Sequence, residues 1–279
     1  IGVNHEGNFL KLQKLIKEAK KAGADVVKFQ CYTPKNYVTI ENKKYPRICK
    51  FFISKDKFNE VIKYCKKIKI KYLFTPVSHD WLNYIRKNSN TVKIASGDLN
   101  FNFLINQIVK KKFKIILSTG ASDLKEIQKT IKLIQLKYGR QIFNKLIIMH
   151  CVSRYPVQDE DANLLSIVFL KNKLDLTIGY SNHVIGINAC LASICMGARV
   201  IEFHFTDNKN RKFRDHQLSL DKSDVIKMIK TGNNFNRLLG NYEKKINKKV
   251  LLDKKTLSKG IIANKNLKVG HRIKIDDLN

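Results

Sequence analysis

The stretch KIILSTGASDLKEIQKTIKLIQLKY, Lys114–Tyr138, contains the repeating unit of the chain. Lys114–Ser118 is a short, β-rich apolar run that ends on Ser118, Thr119 and Gly120. Asp123 then stands as an N-cap before Leu124, and Leu124–Tyr138 carries apolar residues at three- and four-residue spacing. A strand run followed by an amphipathic helix run is the unit of an α/β chain.

The unit recurs in both directions. Strand runs are read at Ile1–Val3, Asp25–Gln30, Lys71–Thr75, Thr91–Ala95, Lys114–Ser118, Leu146–Cys151, Leu176–Tyr180 and Arg199–Phe205. Helical spacing is read at Phe9–Lys21, Lys57–Ile68, Trp81–Lys87, Phe101–Lys111, Leu124–Tyr138, Leu164–Asn172, Ile185–Met196 and Ser223–Leu239. In the first of these, Leu12, Leu15, Ile16 and Ala19 make one stripe; before the last, Ser223 reads as an N-cap. Eight strands and eight helices in alternation over about 240 residues predict a (β/α)8 TIM barrel. A doubly wound open sheet is the alternative, but it predicts a glycine-rich fingerprint after an early strand, and Gly2 and Gly7 do not form one.

The expected organisation is a barrel over 1–240, a lysine- and asparagine-rich linker over 241–256, and the opening of a small β-rich unit over 257–279. The last piece is too short to bury a core alone.

With 279 residues, 43% of them hydrophobic and 28% charged, the composition is that of a globular protein. Apolar runs such as Leu146–Met149 are too short to span a bilayer, and no charged-then-apolar leader opens the text, so a soluble cytoplasmic protein without a membrane partner is expected. The net charge of +31 raises the class of basic nucleic-acid-binding modules. However, lysine outnumbers arginine roughly five to one, and the lysines are spread at helix-surface spacing. The expectation is a solvated surface with no nucleic-acid partner. The six cysteines form no CxxC pair and read as reduced thiols.

Chemistry in a barrel sits at the C-terminal ends of the strands. Those ends read Asn4-His5-Glu6, Lys28 and Gln30, Thr75, Lys93 and Ser96, Ser118-Thr119-Gly120, Ser153 and Tyr155, Ser181 and His183, and His204. A lysine inside an apolar strand is costly unless it meets an anion, so Lys28 and Lys93 with several hydroxyls describe a phosphate or carboxylate site. His183 and His204, at the ends of neighbouring strands, either share a divalent cation or are structural.

These residues sit in motifs that resemble the sialic acid synthase family, the nonulosonic acid synthases. The motifs are IGVNHEG at 1–7, GADVVKFQ at 23–30, KIASGD at 93–98, STG at 118–120, HCVSRYP at 150–156, GYSNH at 179–183, EFHFT at 202–206 and DHQLSL at 215–220. They run in family order over nearly the whole chain. Ser258–Leu278 resembles the start of the family's antifreeze-like (SAF) domain.

The resemblance implies condensation of phosphoenolpyruvate with an N-acetylated hexosamine, N-acetylmannosamine foremost, to give a sialic acid and phosphate. A diacetamido sugar giving legionaminic or pseudaminic acid is the alternative. It implies that His183 and His204 hold a catalytic Mn2+ or Mg2+. It places Lys28, Thr75, Lys93, Ser96, Ser118, Ser153 and Ser181 around phosphoenolpyruvate. Tyr155 and Asp215 fall near the sugar and the reacting carbons, and Asp98 stands where some relatives carry Glu. It also implies a domain-swapped homodimer. The text departs from the family pattern at three places: the strand-one glutamate would precede Ile1, Asn182 stands for Asp, and Phe213-Arg214 stands for Gly-Pro. With the glutamate and most of the antifreeze-like domain outside residues 1–279, impaired turnover is the expectation for this chain.

Overall fold

The structure is a computed structural model that describes residues 1–212 and 215–279, with Lys255 described by its backbone alone. The Phe213-Arg214 departure therefore lies outside the described residues. The chain divides into two units, Ile1–Leu238 and Leu239–Asn279.

The first unit opens with α1 (Phe9–Lys21), β1 (Val26–Cys31), α2 (Pro34–Tyr37), α3 (Tyr45–Phe51), α4 (Lys55–Lys67) and β2 (Lys71–Pro76). It continues through α5 (Leu82–Asn88), β3 (Thr91–Ile94), α6 (Asn102–Lys110), β4 (Lys114–Ser118), α7 (Leu124–Tyr138), α8 (Ile142–Lys145) and β5 (Leu146–His150). It ends with α9 (Leu165–Leu174), β6 (Thr177–Asn182), α10 (Asn188–Cys195), β7 (Ile201–Phe203) and α11 (Lys222–Leu239).

The seven strands are all parallel and lie in the sheet in sequence order, β1 to β7. Parallel neighbours need crossover connections, and the helices supply them. The sheet is curled: Lys28 Nζ of β1 comes within 3.9 Å of Glu202 Oε1 on β7. This is a modified TIM barrel with seven strands in place of the expected eight. The missing one is Ile1–Val3, which forms no ladder among the described residues. The segment is held instead by single contacts. Ile1 N donates to Lys28 O at 3.0 Å, and Asn4 Nδ2 donates to Phe205 O at 2.8 Å. These contacts run from β1 to the end of β7, where an eighth strand would lie.

Outward-facing strand residues and the helices share one apolar core. Phe29, Phe74, Ile94, Leu117, Ile148 and Ile178 are buried there, and so are Leu12, Leu15, Ile16 and Ala19 of the α1 stripe. Each such side chain contributes about 1.5–3 kcal/mol. Phe58 of α4 packs against Phe29 and Trp81, with ring centroids at 5.8 and 5.7 Å.

Helix starts follow local chemistry. Asp123 caps α7 as expected, in a full capping box with Glu126. Ser223, expected as the cap of α11, lies inside the helix. Asp221 takes that place, and its Oδ1 accepts from Asp224 N at 3.0 Å.

The second unit contains α12 (Lys248–Leu257), a 3-10 turn at Ile275–Asp277 and one antiparallel bridge, Ala263 to Leu278. The β-rich unit expected there is not seen; among its described residues there is no strand. Its apolar side chains, among them Ile261, Ile262, Val269 and Ile273, are exposed instead of gathered on one buried face that could hold a sheet together. Among the described residues no helix is long and apolar enough to cross a membrane.

Candidate active site

Alternate residues of the strands point inward and line a cavity of about 240 Å3. The period of two selects Lys28 and Gln30, Thr75, Lys93, Ile116 and Ser118, Ser181, and then Glu202 and His204. The residues between them belong to the apolar core, which is why polar groups sit so regularly inside otherwise apolar strands.

Lys93 is buried at 3% exposure. Its Nζ lies 2.9 Å from Glu202 Oε2, and Lys28 Nζ is 3.9 Å from Glu202 Oε1 and 3.4 Å from Thr75 Oγ1. Ser181 Oγ donates to Glu202 Oε1 at 3.2 Å. Burial works to raise the Glu202 carboxyl, but Lys93 and Lys28 outweigh it and hold the group well below the ordinary carboxylate range. Burial lowers the Lys28 ammonium, with Glu202 opposing. Part of the anion that each strand lysine requires is thus supplied within the fold, by Glu202. Two lysines against one carboxylate still leave a net positive site.

The hydroxyl groups cluster beside this triad. Ser96 Oγ accepts from Gly120 N at 3.0 Å and lies 3.1 Å from Cys151 Sγ. Ser118 Oγ is buried on the cavity wall with no hydrogen-bond partner among the described residues. Such a group costs about 1–3 kcal/mol unless something binds it.

The rings of His183 and His204 stand with centroids 5.5 Å apart. His183 Nδ1 is 2.7 Å from the Val152 carbonyl. A carbonyl only accepts, so Nδ1 carries the hydrogen and the Nε2 lone pair is free. Burial, foremost, lowers the His183 pKa to about 4, so the ring is neutral near pH 7, as a metal ligand must be. His204 Nδ1 lies 3.4 Å from Asp215 Oδ2, which orients that ring in the same sense. Two imidazoles with oriented outer nitrogens suit a Mn2+ or Mg2+ ion. Among the described residues no group of three or more His, Cys, Asp or Glu side chains forms a metal cluster. The Tyr155 ring covers His183 at 4.1 Å and meets His204 at 5.9 Å.

Of the residues expected in the site, Lys28, Thr75, Lys93, Ser96, Ser118, Ser181, Tyr155, His183 and His204 line the one cavity. Asp215 touches its edge through His204. Ser153 is exposed and is not among the lining residues; its N donates to Gly120 O at 3.2 Å. Asp98 is off the cavity wall, half-buried after β3, with burial raising its pKa to about 6. Sequence reasoning missed Glu202 and Cys151 as wall residues. The signal for Glu202 was present: it precedes His204 by two on one strand and therefore shares its face.

The NeuB family model matches residues 15–244. An uncharacterised protein of Methanocaldococcus jannaschii is 35% identical over 99% of this chain and 81% of its own length. The N,N'-diacetyllegionaminic acid synthase of Campylobacter jejuni is 31% identical over 96% of this chain and 84% of its own length. Among solved structures, the N-acetylneuraminic acid synthetase of Leptospira borgpetersenii, in complex with citrate, superposes with a TM-score of 0.85. It is 26% identical and covers 92% of this chain and 90% of its own. With its cavity, its paired imidazoles and these matches, the chain belongs to the NeuB family.

Proposed function

We propose that the chain condenses phosphoenolpyruvate with N-acetylmannosamine, giving a sialic acid and phosphate. Membership of the NeuB family supports the coarser reading, an enzyme that condenses phosphoenolpyruvate in the manner of sialic acid synthases. The observation that carries the proposal is one cavity wall that holds two lysines, a buried serine hydroxyl without a partner among the described residues, and two oriented imidazoles.

In this reading Lys28 and Lys93 bind the phosphate and carboxylate of phosphoenolpyruvate, and the hydroxyls of Thr75, Ser96, Ser118, Ser153 and Ser181 orient them. His183 and His204 would hold the divalent ion, which supplies Lewis-acid polarisation of a carbonyl oxygen when bound. The methylene carbon of phosphoenolpyruvate forms a bond to the aldehyde carbon of the open-chain sugar. Water adds at C2, the C2–O bond to phosphorus-bound oxygen breaks, and phosphate leaves with that oxygen. Positive charge develops at C2 during the step. Glu202, two residues along the strand from His204, contributes a fixed negative charge to that wall. In the same reading Tyr155 and Asp215 meet the sugar, and Asp98, off the cavity wall, is assigned to its outer side.

Incubation with phosphoenolpyruvate, N-acetylmannosamine and Mn2+ tests the proposal. Using phosphoenolpyruvate with 18O in the bridging position, the label is expected in the released phosphate. Label retained in the sugar acid, or no phosphate release, overturns it.

A second reading is favoured by two relatives: the 31% and 28% identities to diacetyllegionaminic acid synthases support a diacetamido sugar as acceptor. Comparing kcat/KM for the two sugars decides between them. The likeness of Ser258–Leu278 to the opening of an antifreeze-like domain, the division at 1–240, 241–256 and 257–279, the swapped homodimer and the cytoplasmic location complete the proposal. Light scattering tests the homodimer.

A further inference from the structure

The segment that follows β7 leaves the mouth of the barrel and returns beside itself. Thr206 N donates to Leu220 O at 3.0 Å, Leu220 N donates to His204 O at 2.8 Å, and Phe205 pairs with Leu220. Among the described residues between these contacts no helix or strand fixes the backbone. Asp215 lies within this excursion, and its carboxylate is the group that faces His204 Nδ1. Something other than a ladder must set where that carboxylate points.

The neighbouring residue is built for the task. His216 is fully buried, and both of its ring nitrogens are engaged by other elements. Nδ1 is 2.6 Å from Thr206 Oγ1, at the base of the excursion, and Nε2 is 2.9 Å from Glu6 Oε1, in the turn before α1. A carboxylate only accepts, so Nε2 carries the hydrogen; on the other side Nδ1 meets the threonine hydroxyl, which also bonds the Asn208 carbonyl at 3.1 Å. Glu6 is itself fixed by Lys11 of α1, a contact also made by Arg211 at 3.5 Å. On the other side, Ser219 Oγ donates to the Asp215 carbonyl, and Asn4 Nδ2 donates to Ser219 Oγ at 2.9 Å. The backbone around Asp215 is thus pinned to the 4–6 turn twice, through His216 and through Ser219.

We propose that His216 is a positioning residue that aims the Asp215 carboxylate at His204 through its hydrogen bonds to Glu6 and Thr206. The inference rests on the reading of His204 as a metal ligand. A carboxylate that orients a ligating imidazole typically changes metal affinity 10–100-fold. His216 acts one step further out and is not among the described residues that line the cavity.

The test is Mn2+ affinity of the whole chain, read from the electron paramagnetic resonance signal of free Mn2+, with thermal unfolding as the control for folding. The variants are Asp215→Ala, His216→Phe, the two combined, and Thr206→Val. Asp215→Ala is expected to weaken Mn2+ binding about tenfold. His216→Phe is expected to weaken it several-fold, and the double variant no more than Asp215→Ala alone, because both act along one path. Thr206→Val leaves the imidazole in place and removes one of its partners, together with the hydroxyl's bonds to Asn208; it is expected to weaken binding in the same direction with a lowered Tm.

Folded His216→Phe with unchanged affinity overturns the proposal. So does a double variant whose loss is the product of the single losses, since that is the signature of a merely structural role. If His216→Phe does not fold, Thr206→Val alone and combined with Asp215→Ala decides on the same criteria. Failure of the unmodified chain to bind Mn2+ overturns the metal reading itself, and is visible before any variant is made.

Discussion

Glu202 Oε2 lies 2.9 Å from Lys93 Nζ, so a buried lysine of β3 meets its counter-charge across the barrel on β7. The same carboxylate is 3.9 Å from Lys28 of β1. Three strands that are not sequence neighbours are held by one group, and the cavity keeps its positive excess.

Lys93→Ala is expected to lower stability sharply, because it leaves Glu202 partly buried with its nearer lysine removed. Breaking a buried pair from one side costs about 3–5 kcal/mol; with Glu202 about one-quarter exposed, the lower part of that range applies. The double variant Lys93→Met with Glu202→Gln should recover most of the loss while remaining inactive. Urea denaturation of the three proteins measures this, and equal stability of the single and double variants would contradict it.

Lys28→Ala should act on substrate more than on the fold, since its contact with Glu202 is the longer one. Loss of a charge-assisted contact is worth roughly 1.5–3 kcal/mol, so the KM for phosphoenolpyruvate should rise about tenfold or more. The KM for the sugar should change little. Steady-state kinetics with each substrate varied in turn reads the split; equal rises in both would remove Lys28 from the phosphoenolpyruvate end.

Stability should fall as pH falls from about 6.5 to about 4. His5 is buried, its Nδ1 accepts from Gly7 N at 3.1 Å, and burial, foremost, lowers its pKa to about 4. The unfolded chain takes up that proton near 6.5 and the folded chain only near 4, so protonation favours unfolding throughout that window. The contribution is fully present above pH 6.5 and is lost on the order of 3 kcal/mol by pH 4. Urea midpoints at pH 7 and pH 5 should differ by less in His5→Gln than in the unmodified protein.

Gly179→Ala should destabilise where Gly139→Ala does not by crowding. A Cβ at 179 would stand 2.6 Å from the Val200 carbonyl oxygen and 2.4 Å from Met149 Sδ. The methionine can turn away, but the backbone oxygen belongs to the neighbouring segment and cannot. Overpacking of this kind costs about 1–3 kcal/mol, read as a lower Tm. At Gly139 nothing lies within 4 Å, and only the positive φ of 53° adds strain. An unchanged Tm for Gly179→Ala would mean that β6 and the segment before β7 can separate.

The strand and helix runs were legible because each is written in a local period. Leu12, Leu15, Ile16 and Ala19 share a face in any α-helix, and Lys93 and Ala95 share one in any strand. Nine of the twelve expected site residues reach one cavity wall for the same reason: the period of two and the parallel order of the strands bring inward positions together. Ile1–Val3 misled because three apolar residues carry too little pattern to separate a strand from a segment held by single contacts. Ser223 misled because Asp221, two residues earlier, offers an equally good capping oxygen, and local sequence does not choose between them.

The sequence by itself determined the alternating α/β architecture, the paired histidines and the two strand lysines, since these follow from residue type and spacing along the chain. Only the tertiary structure decided that Glu202 neutralises part of the lysine charge and that His216 joins Glu6 to Thr206. It also decided that Asp98 stands off the cavity. Each of these depends on distances between residues tens to hundreds of positions apart. Such distances are set by how far the sheet curls and where an irregular segment returns, and no local period encodes either.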